Sequence, residues 1–332
     1  MSSTYQAAVC TALTGPDAMT VRPFKRAPLK SDEIRIDVRA AGVNFPDLLL
    51  TQGAYQLKLE PPFTPGMEVA GMIIEVGTEI ERFAPGMKVI AALRSGGFGE
   101  EVAVSQSSVV PLPNGFTFEQ GAAFFVAART AFHALSQRGN LKAGEKVLVL
   151  GATGGVGFAT VQIAKALGAE VVAVGSSDEK LKKLAQGGAD HVINYTTTNL
   201  RDTVKAIAAE GVDLVFDAVG DPLASQAQRC LGWHGRYLVI GFAGGAIPSF
   251  EANYALLKGH QIIGVRAGEA ARRDPLSLQQ SVRELLELAE RGSVTPHIHR
   301  SFPLSDAASA LKCLQDRQVI GRVVINPEKG ET

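Results

Sequence analysis

The chain has 332 residues, 46% of them hydrophobic and 20% charged, and its 33 Lys and Arg balance its 33 Asp and Glu to a net charge of +0. This balance gives no electrostatic reason to expect a nucleic-acid or membrane partner, and no apolar run is long enough to span a bilayer. The start of the chain lacks the basic and apolar regions of a signal peptide. Three scattered cysteines, Cys10, Cys230 and Cys313, indicate a reducing compartment rather than a disulfide framework. We therefore expect a cytoplasmic protein with two domains.

The first part of the chain predicts short strands separated by turns, which is typical of an irregular, mostly antiparallel β domain. Turn signals such as Gly15-Pro16-Asp17 and Ala84-Pro85-Gly86 stand between the strands. The predicted strands are residues 5–10, 19–23, 33–41, 68–76, 88–92 and 100–104.

Beyond residue 116 the pattern changes to an alanine-rich helix over 119–137 and then to alternating strands and helices. This alternation predicts a doubly wound parallel sheet, so the expected fold class is α/β. The strands predicted for this sheet are residues 146–150, 170–174, 190–193, 213–217, 235–240 and 260–265.

The tail from Ala267 predicts a helix over 276–290 and a strand over 322–325, whose lengths do not extend the alternation. We therefore expect the tail to return to the first domain. The predicted organisation is a mostly antiparallel domain of residues 1–122 completed by 267–332, and a parallel-sheet domain of residues 123–266.

A glycine-rich turn follows the first strand of the alternating region. The strand over 146–150 runs into Gly151, more glycines follow at a spacing of three, and residues 158–167 predict a helix. A strand, a glycine turn and a helix in this order present backbone N–H groups and the positive end of a helix to a pyrophosphate. The next strand arrives after one helix, which favours a dinucleotide-binding unit over a purely structural turn.

The second strand of this unit lacks the terminal acidic residue that binds the ribose 2′-hydroxyl of NAD. It runs instead into Gly175-Ser176-Ser177. Small hydroxyl residues leave room for a 2′-phosphate and can hydrogen-bond it, and Lys180 can supply positive charge. Asp178 opens the next helix, and we interpret it as a helix cap. The pattern therefore predicts NADPH as the cofactor.

Short motifs run along the chain: Ala7-Ala8-Val9, AGVNFPD over 41–47, PGMEVAG over 65–71, TAFHAL over 130–135, DAVG over 217–220 and VIGF over 239–242. With the glycine turn, they resemble the medium-chain dehydrogenase/reductase superfamily, and within it the zinc-free NADPH:quinone oxidoreductase branch that includes zeta-crystallin. The resemblance covers essentially the whole chain. It implies a GroES-like, mostly antiparallel catalytic domain, a Rossmann domain that binds NADPH, and transfer of reducing equivalents to quinones.

The residues at the family's zinc positions differ from those of the zinc-dependent members. Where those members carry a cysteine and a His-Glu pair, this chain has Asn44 and Met67-Glu68. Neither an amide nor a thioether is a suitable zinc ligand. His297 and His299 have ligand-like spacing but no third ligand in view, and we interpret them as a solvated pair. We therefore expect no metal.

Hydride transfer without a Lewis acid requires an acceptor that is activated by its own conjugation, such as a quinone or an α,β-unsaturated carbonyl. The protein then aligns the acceptor and stabilises the developing negative charge with donors. By the resemblance, Asn44 lies at the nicotinamide and the acceptor, and Tyr55 lies in the pocket wall; both are our catalytic candidates. The alternatives are a turn residue for Asn44 and an ordinary half-exposed aromatic for Tyr55.

The resemblance also implies a set of residues that contact NADPH. Those at the pyrophosphate are Thr153, Gly154, Gly155 and Val156, and those at the 2′-phosphate are Ser176, Ser177, Lys180 and Tyr195. Those on the nicotinamide side are Gly241, Phe242, Val265, Arg266 and Ala267, with Phe45 and Arg322 as further candidates. Thr130 is expected to hydrogen-bond the cofactor, or alternatively its own helix backbone.

The acceptor stays open between a quinone and a 2-enoyl substrate such as an acryloyl or crotonyl thioester. Some quinone reductases carry a tyrosine at the position of Leu49, so this pocket is more apolar. A coenzyme A thioester favours a basic rim, for which Lys58, Arg94 and Arg272 are candidates. A third hypothesis is an NADPH sensor or RNA-binding protein without significant turnover, and the net charge argues against RNA.

The last strand of the predicted parallel sheet, residues 261–265, is also expected to make a protein contact. In this family such a strand commonly pairs with its copy across a two-fold axis. We therefore expect a homodimer with a continuous sheet, and a small-molecule acceptor as the other partner.

Overall fold

The computed structural model describes residues 4–327 and divides into two compact units, Met1–Val126 with His297–Thr332, and Ala127–Pro296. The strands are β1 (Thr4–Cys10), β2 (Met19–Lys25), β3 (Glu33–Val43), β4 (Glu68–Val76), β5 (Lys88–Ala92), β6 (Glu101–Ser105), β7 (Val109–Pro111), β8 (Lys146–Leu150), β9 (Glu170–Gly175), β10 (His191–Asn194), β11 (Val212–Asp217), β12 (Leu231–Val239), β13 (Gln261–Gly264), β14 (Ile298–Pro303) and β15 (Arg322–Asn326). The helices are α1 (Phe45–Thr51), α2 (Phe118–Phe132), α3 (Gly155–Ala166), α4 (Asp178–Gln186), α5 (Leu200–Ile207), α6 (Leu223–Cys230), α7 (Ala252–Lys258), α8 (Ala267–Arg273), α9 (Pro275–Glu290) and α10 (Ala307–Gln315).

The first unit is built on a 7-stranded sheet in the order β14-β15-β3-β4-β5-β7, with β6 also paired to β3. Its pairs are antiparallel except for β14 with β15, and β1 and β2 form a separate antiparallel ribbon. Alternate side chains of β3, among them Ile34, Ile36 and Val38, enter the core with Val69 and Ile73 of β4. This confirms the predicted mostly antiparallel, GroES-like domain.

The second unit is built on a 6-stranded parallel sheet in the order β10-β9-β8-β11-β12-β13. This is the doubly wound order, and it confirms the predicted Rossmann domain and the α/β class. The strand order reverses between β8 and β11, whose last residues, Leu150 and Asp217, are register partners. Ligands of such sheets bind outside the carboxyl ends of the strands at this reversal.

The segment after β13 belongs to the second unit, although the sequence analysis assigned it to the first. Gln137 donates hydrogen bonds to Ser277 at 2.9 Å and to Ser281 at 2.6 Å, and Leu285 of α9 is buried. These contacts hold α9 to the second unit, so the chain returns to the first unit at His297 rather than at Ala267. The other boundary falls after Val126, inside the continuous helix α2, rather than after residue 122.

The segment after β3 forms α1, a helix that the sequence analysis did not predict. Pro46 stands in its first turn, where its fixed φ suits a helix start. The Asp47 carboxylate accepts the backbone N–H of Asn44, the N-cap residue, at 2.8 Å. Leu48 and Leu50 are buried, so α1 is held by packing as well as by its cap. This helix places Asn44 at the end of β3.

Candidate active site

The glycine turn after β8 contains glycines of two kinds. Gly151 has φ +67°, and a Cβ on Gly157 would lie 2.2 Å from the Gly151 carbonyl oxygen, so the chain itself requires glycine at both positions. A Cβ on Gly154 would meet only the Gly151 oxygen, at 3.5 Å, which is ordinary contact. The folded chain itself therefore does not require glycine at 154.

The N-terminus of α3 follows this turn directly. Gly154 is the N-cap of α3, and within the described ranges no side chain caps this helix. Its first N–H groups and the positive end of its dipole therefore have no side-chain cap, an arrangement that can bind an anion. Thr153 lies just before the cap, and Gly155 and Val156 begin the helix. All four residues predicted for the pyrophosphate thus lie on one turn.

The ends of β9 and β10 bring together the residues predicted for the 2′-phosphate. Gly175 and Asn194, the last residues of the two strands, are register partners, and the Tyr195 N–H donates to the Gly175 carbonyl at 3.1 Å. Ser176 is exposed just beyond β9. Lys180 is partly buried in the first turn of α4, and this burial lowers the pKa of its ammonium group. Hydroxyl, ammonium and phenol groups on one edge are a donor set that suits a phosphate.

The cap of α4 is Ser177, not Asp178 as the sequence analysis expected. The Ser177 hydroxyl oxygen accepts the Lys180 backbone N–H at 3.4 Å. Asp178 is the first residue of the helix, and its Oδ1 accepts a hydrogen bond from Nδ2 of Asn194 at 2.8 Å. Serine at the N-cap is as effective as aspartate, and the sequence does not show which of two adjacent good caps has the extended backbone.

Asp217, at the end of β11, organises the loops at the neighbouring strand ends. Its carboxylate accepts the N–H groups of Val219 and Gly220 at 2.8 and 2.9 Å and the Tyr237 hydroxyl at 2.8 Å. Its carbonyl accepts the N–H groups of Ile240 and Gly241. In the sequence, Asp217 is distinguished only as part of the DAVG motif over 217–220. Its position at the end of a buried strand, three residues before Gly220, is the signal for a loop-organising role.

The residues predicted for the nicotinamide side lie beyond the ends of β12 and β13. Phe242, which follows Gly241, is exposed. The Val265 N–H donates to the Val239 carbonyl at 3.0 Å, so the segment 265–267 begins beside the end of β12. Val265 and Ala267 are buried and Arg266 is exposed. The structure therefore places these residues at the carboxyl edge of the sheet.

In the first unit, three side chains from distant parts of the sequence form a buried polar network, and two of them, Asn44 and Arg322, are predicted site residues. Glu68 Oε1 accepts from Nδ2 of Asn44 at 3.0 Å and from the Arg322 guanidinium, and Oε2 accepts the Val126 N–H at 2.8 Å. Arg322 also donates to Asn44 Oδ1 at 2.9 Å. Asn44 is 2% exposed and Glu68 0%.

The network uses the hydrogen-bonding groups of the Asn44 amide. Its Nδ2 donates to Glu68 and, at 3.3 Å, to the Gly42 carbonyl, while its Oδ1 accepts from Arg322. Both hydrogens of Nδ2 are therefore engaged by the protein. Nε of Arg322 is buried and has no hydrogen-bond partner among residues 4–327. The network fixes the Asn44 amide rather than presenting it as an open donor.

Asp47 is fully buried beside this network. Its Oδ1 accepts the Gly66 N–H at 2.9 Å and its Oδ2 accepts the Asn44 N–H at 2.8 Å. Burial raises the pKa of Asp47 to about 7, because desolvation penalises the ionised form more than the two backbone hydrogen bonds favour it. Asp47 thus joins α1 to the segment that leads into β4.

The remaining predicted residues occupy less enclosed positions. Phe45 packs partly against the first unit's core at the start of α1, and Tyr55 is half-buried in the loop after α1. Thr130 is half-buried on α2. Of the residues considered for a basic rim, Lys58 donates to the Gly53 carbonyl at 2.7 Å, Arg272 pairs with Glu269 at 2.6 Å, and Arg94 is exposed.

The positions that hold zinc in zinc-dependent members carry Asn44, Met67 and Glu68 in this chain, and the Glu68 carboxylate is bonded to Asn44, Arg322 and a backbone N–H. Over residues 4–327, no group of three or more His, Cys, Asp or Glu side chains is arranged to hold a metal ion. In the same part of the chain, no helix is both long and apolar enough to cross a membrane.

Comparisons with known proteins match this chain over both units. A family model described as alcohol dehydrogenase GroES-like domain matches residues 30–114, and one described as zinc-binding dehydrogenase matches residues 155–291. The quinone oxidoreductase-like protein 2 homolog of Nematostella vectensis is 34% identical over 329 residues, covering 98% of this chain and 90% of that protein. The chain belongs to the medium-chain dehydrogenase/reductase superfamily, in its zeta-crystallin-like branch.

Two solved structures are similar to this medium-chain dehydrogenase/reductase over almost its whole length. The Escherichia coli quinone oxidoreductase complexed with NADPH is 26% identical with a TM-score of 0.87, covering 97% of this chain and 100% of that one. The CurK enoyl reductase is 27% identical with a TM-score of 0.89, covering 98% and 100%. This protein is accordingly an oxidoreductase with a nicotinamide cofactor and a small-molecule substrate.

Proposed function

We propose that this chain is a zinc-independent, NADPH-dependent oxidoreductase that transfers reducing equivalents to quinones. The observation that carries the cofactor preference is the edge formed by β9 and β10. Ser176, Ser177, Lys180 and Tyr195 lie together there, and residues 175–177 include no carboxylate. An edge without a carboxylate accommodates the 2′-phosphate of NADPH, which a carboxylate would repel. NADPH, when bound, supplies the hydride for the acceptor.

The chain's own residues hold the rest of the cofactor. The turn of Thr153, Gly154, Gly155 and Val156 binds the pyrophosphate through backbone N–H groups, and the lack of a side chain at Gly154 lets the backbone approach it closely. The proposed contacts on the nicotinamide side are Gly241, Phe242, Val265, Arg266 and Ala267, with Phe45, Thr130 and Arg322 as further contacts.

The residues at the zinc positions support an acceptor that is activated by conjugation. Asn44 and Met67 are not zinc ligands, so these positions do not hold a zinc ion that could polarise an isolated carbonyl. The Asn44 amide is bonded to Glu68 and Arg322, so we propose that it acts by orienting the Arg322 guanidinium. Tyr55 is the proposed group that holds a proton near the reduced acceptor.

A 2-enoyl substrate is the second candidate acceptor. Leu49 stands where some quinone reductases carry a tyrosine, and the similar CurK structure is an enoyl reductase. An apolar wall suits the alkyl chain of an enone or thioester as well as a quinone ring. Both acceptors delocalise the added charge to a distant oxygen, so one site serves either chemistry.

The acceptor is tested by NADPH oxidation with a simple quinone and with crotonyl-CoA side by side, comparing kcat/KM. We expect the quinone to give the higher value. A clear preference for the thioester would overturn the quinone assignment in favour of a carbon–carbon double-bond reductase. NADPH binding with no turnover of either acceptor would favour a binding protein. The same assays with NADH test the cofactor preference.

We also propose that the protein is a homodimer joined through β13. This strand is at one edge of the parallel sheet, and Ile262 on it is 42% exposed. The neighbouring helix α7 has no buried residue, and its Leu256 and Leu257 are 82% and 69% exposed. An apolar edge strand of this kind needs cover in a stable protein.

The dimer is tested by light scattering after size-exclusion chromatography. We expect I262E to give a folded monomer of half the wild-type mass. The matched control is V192E on β10, the opposite edge strand, where Val192 is 41% exposed. A wild-type monomer, or an I262E dimer, would contradict the proposed interface.

A further inference from the structure

Asp178 stands directly beside the proposed 2′-phosphate residues in sequence, and its carboxylate is hydrogen-bonded to the end of a neighbouring strand. It follows Ser177 directly and begins α4. Its Oδ1 accepts a hydrogen bond of 2.8 Å from Nδ2 of Asn194. Asn194 ends β10 and is the register partner of Gly175 at the end of β9. The pair therefore spans the same sheet edge that carries Ser176 and Tyr195.

The orientation of the Asn194 amide is determined by the turn that follows it. Its Oδ1 accepts the Thr196 backbone N–H at 3.0 Å and the Thr196 hydroxyl at 2.7 Å. Since these are donors, the oxygen must face them, and Nδ2 must face Asp178. The Asn194 carbonyl also accepts the N–H groups of Thr197 and Thr198 at 3.2 and 3.1 Å. Asn194 is thus anchored on one side and donates on the other.

Lys180 is the one cation that we assign to the 2′-phosphate, and it is partly buried in the first turn of α4. Asp178 is exposed, so without a hydrogen-bond donor its carboxylate would be able to take other rotamers in the first turn of α4. A phosphate and a carboxylate at one helix N-terminus compete for the same N–H groups and dipole.

We propose that Asn194 is a specificity-determining positioning residue, which binds the Asp178 carboxylate at the end of β10 and so keeps it from competing with the 2′-phosphate of NADPH. The inference rests on the proposed function, because it concerns the same 2′-phosphate site. Asn194 acts through Asp178 and is not assigned a contact with the cofactor.

The test is the dissociation constant of NADPH and of NADH, each followed by its own nicotinamide fluorescence, for a mutant cycle. The variants are N194A, D178N and the double variant, with T196A as the control. T196A removes the hydroxyl that bonds Asn194 Oδ1 but leaves the bond to Asp178, so it reports loosening of the turn alone. Thermal melting verifies that each variant is folded.

We expect N194A to weaken NADPH binding about fivefold at low salt, because the released carboxylate repels the 2′-phosphate through solvent. NADH has no 2′-phosphate, so its binding should be nearly unchanged. The double variant should restore the NADPH affinity, and T196A should keep the wild-type ratio of the NADH and NADPH dissociation constants. The inference would be overturned if N194A left this ratio unchanged, or if the double variant bound NADPH as weakly as N194A. A loss specific to NADH would also overturn it, by showing Asp178 as an acceptor for the ribose hydroxyl.

The proposed cofactor is judged separately, on the wild-type protein in the same titrations. A wild-type preference for NADPH supports the proposed function whatever the variants show. A wild-type protein that binds NADH more tightly overturns the assignment of NADPH, and the role of Asn194 with it.

Discussion

The Tyr237 hydroxyl donates a 2.8 Å hydrogen bond to Oδ2 of Asp217, and both side chains are fully buried in the second unit. The bond joins β11 to β12 just before the loops that carry Gly241 and Phe242. Burial raises the pKa of Asp217, and the hydrogen bonds from Gly220, Tyr237 and Val219 oppose that rise by stabilising the carboxylate. Tyr237 thus supplies a side-chain donor to this buried acid.

Y237F should lower the free energy of unfolding by about 2 kcal/mol at pH 7, because it removes a donor from a buried charged acceptor. The phenyl ring keeps the edge contact with Phe250, whose centroid lies 4.9 Å away, so the packing is preserved. Urea unfolding followed by circular dichroism measures the change. Y254F, on the half-buried tyrosine of α7, is the control and should change stability by less than about 0.5 kcal/mol. Equal effects of the two variants would contradict this role of Tyr237.

The two kinds of glycine in the turn after β8 should respond differently to alanine. G157A should destabilise the protein by about 1–3 kcal/mol, since its Cβ would overlap the Gly151 carbonyl oxygen. G154A should leave the melting temperature unchanged within about 2 °C but weaken NADPH binding about tenfold, because the methyl group fills the space of the pyrophosphate. Melting curves and fluorescence titrations give the two readouts. Unimpaired NADPH binding by G154A would place the pyrophosphate elsewhere.

R322M should destabilise the first unit by about 3 kcal/mol, because it leaves the buried Glu68 carboxylate without its cationic partner. R291M is the control, since Arg291 pairs with Glu287 at 3.6 Å with both side chains exposed, and it should cost less than about 0.5 kcal/mol. R322K should fall between wild type and R322M, as lysine keeps the charge but not the planar fork. Urea unfolding is again the measurement. Similar free energies of unfolding for R322M and R291M would show that the network around Glu68 does not stabilise the fold.

Asp47 should make stability fall as the pH rises toward 7. Burial raises its folded-state pKa to about 7, whereas an unfolded aspartate has a pKa of about 3.9. The contribution of protonated Asp47 to the free energy of unfolding is complete below about pH 4 and is lost as the pH rises through about 7. D47N cannot ionise, so its melting temperature relative to wild type should rise between pH 4 and pH 8, although it loses an acceptor at every pH. D202N, on an exposed residue of α5, is the control. A difference between D47N and wild type that does not depend on pH would contradict the raised pKa.

The elements with strong local signals were predicted from the sequence nearly as they occur. The glycine turn, the strand ends on either side of it and the six strands of the parallel sheet follow from hydrophobic runs and glycine spacing within a few residues. The short helix α1 was not predicted, because seven residues after a strand are too few for a helical period to show. The choice of Ser177 over Asp178 as a cap depended on a backbone angle that neither side chain reveals.

The sequence alone determined the chemical types at this protein's site: serines where an NAD-binding strand would end in a carboxylate, and an amide and a thioether where zinc ligands would stand. These are properties of single residues, so no partner is needed to recognise them. Only the tertiary structure decided which groups bind each other, because Glu68 and Arg322 are 254 residues apart and Asn194 and Asp178 are 16 apart. Burial and hydrogen bonding across strands set whether a side chain is open to a ligand or engaged by the protein. That is why Asn44, which the motif presents as a catalytic candidate, is in the folded chain an amide held by two buried charges.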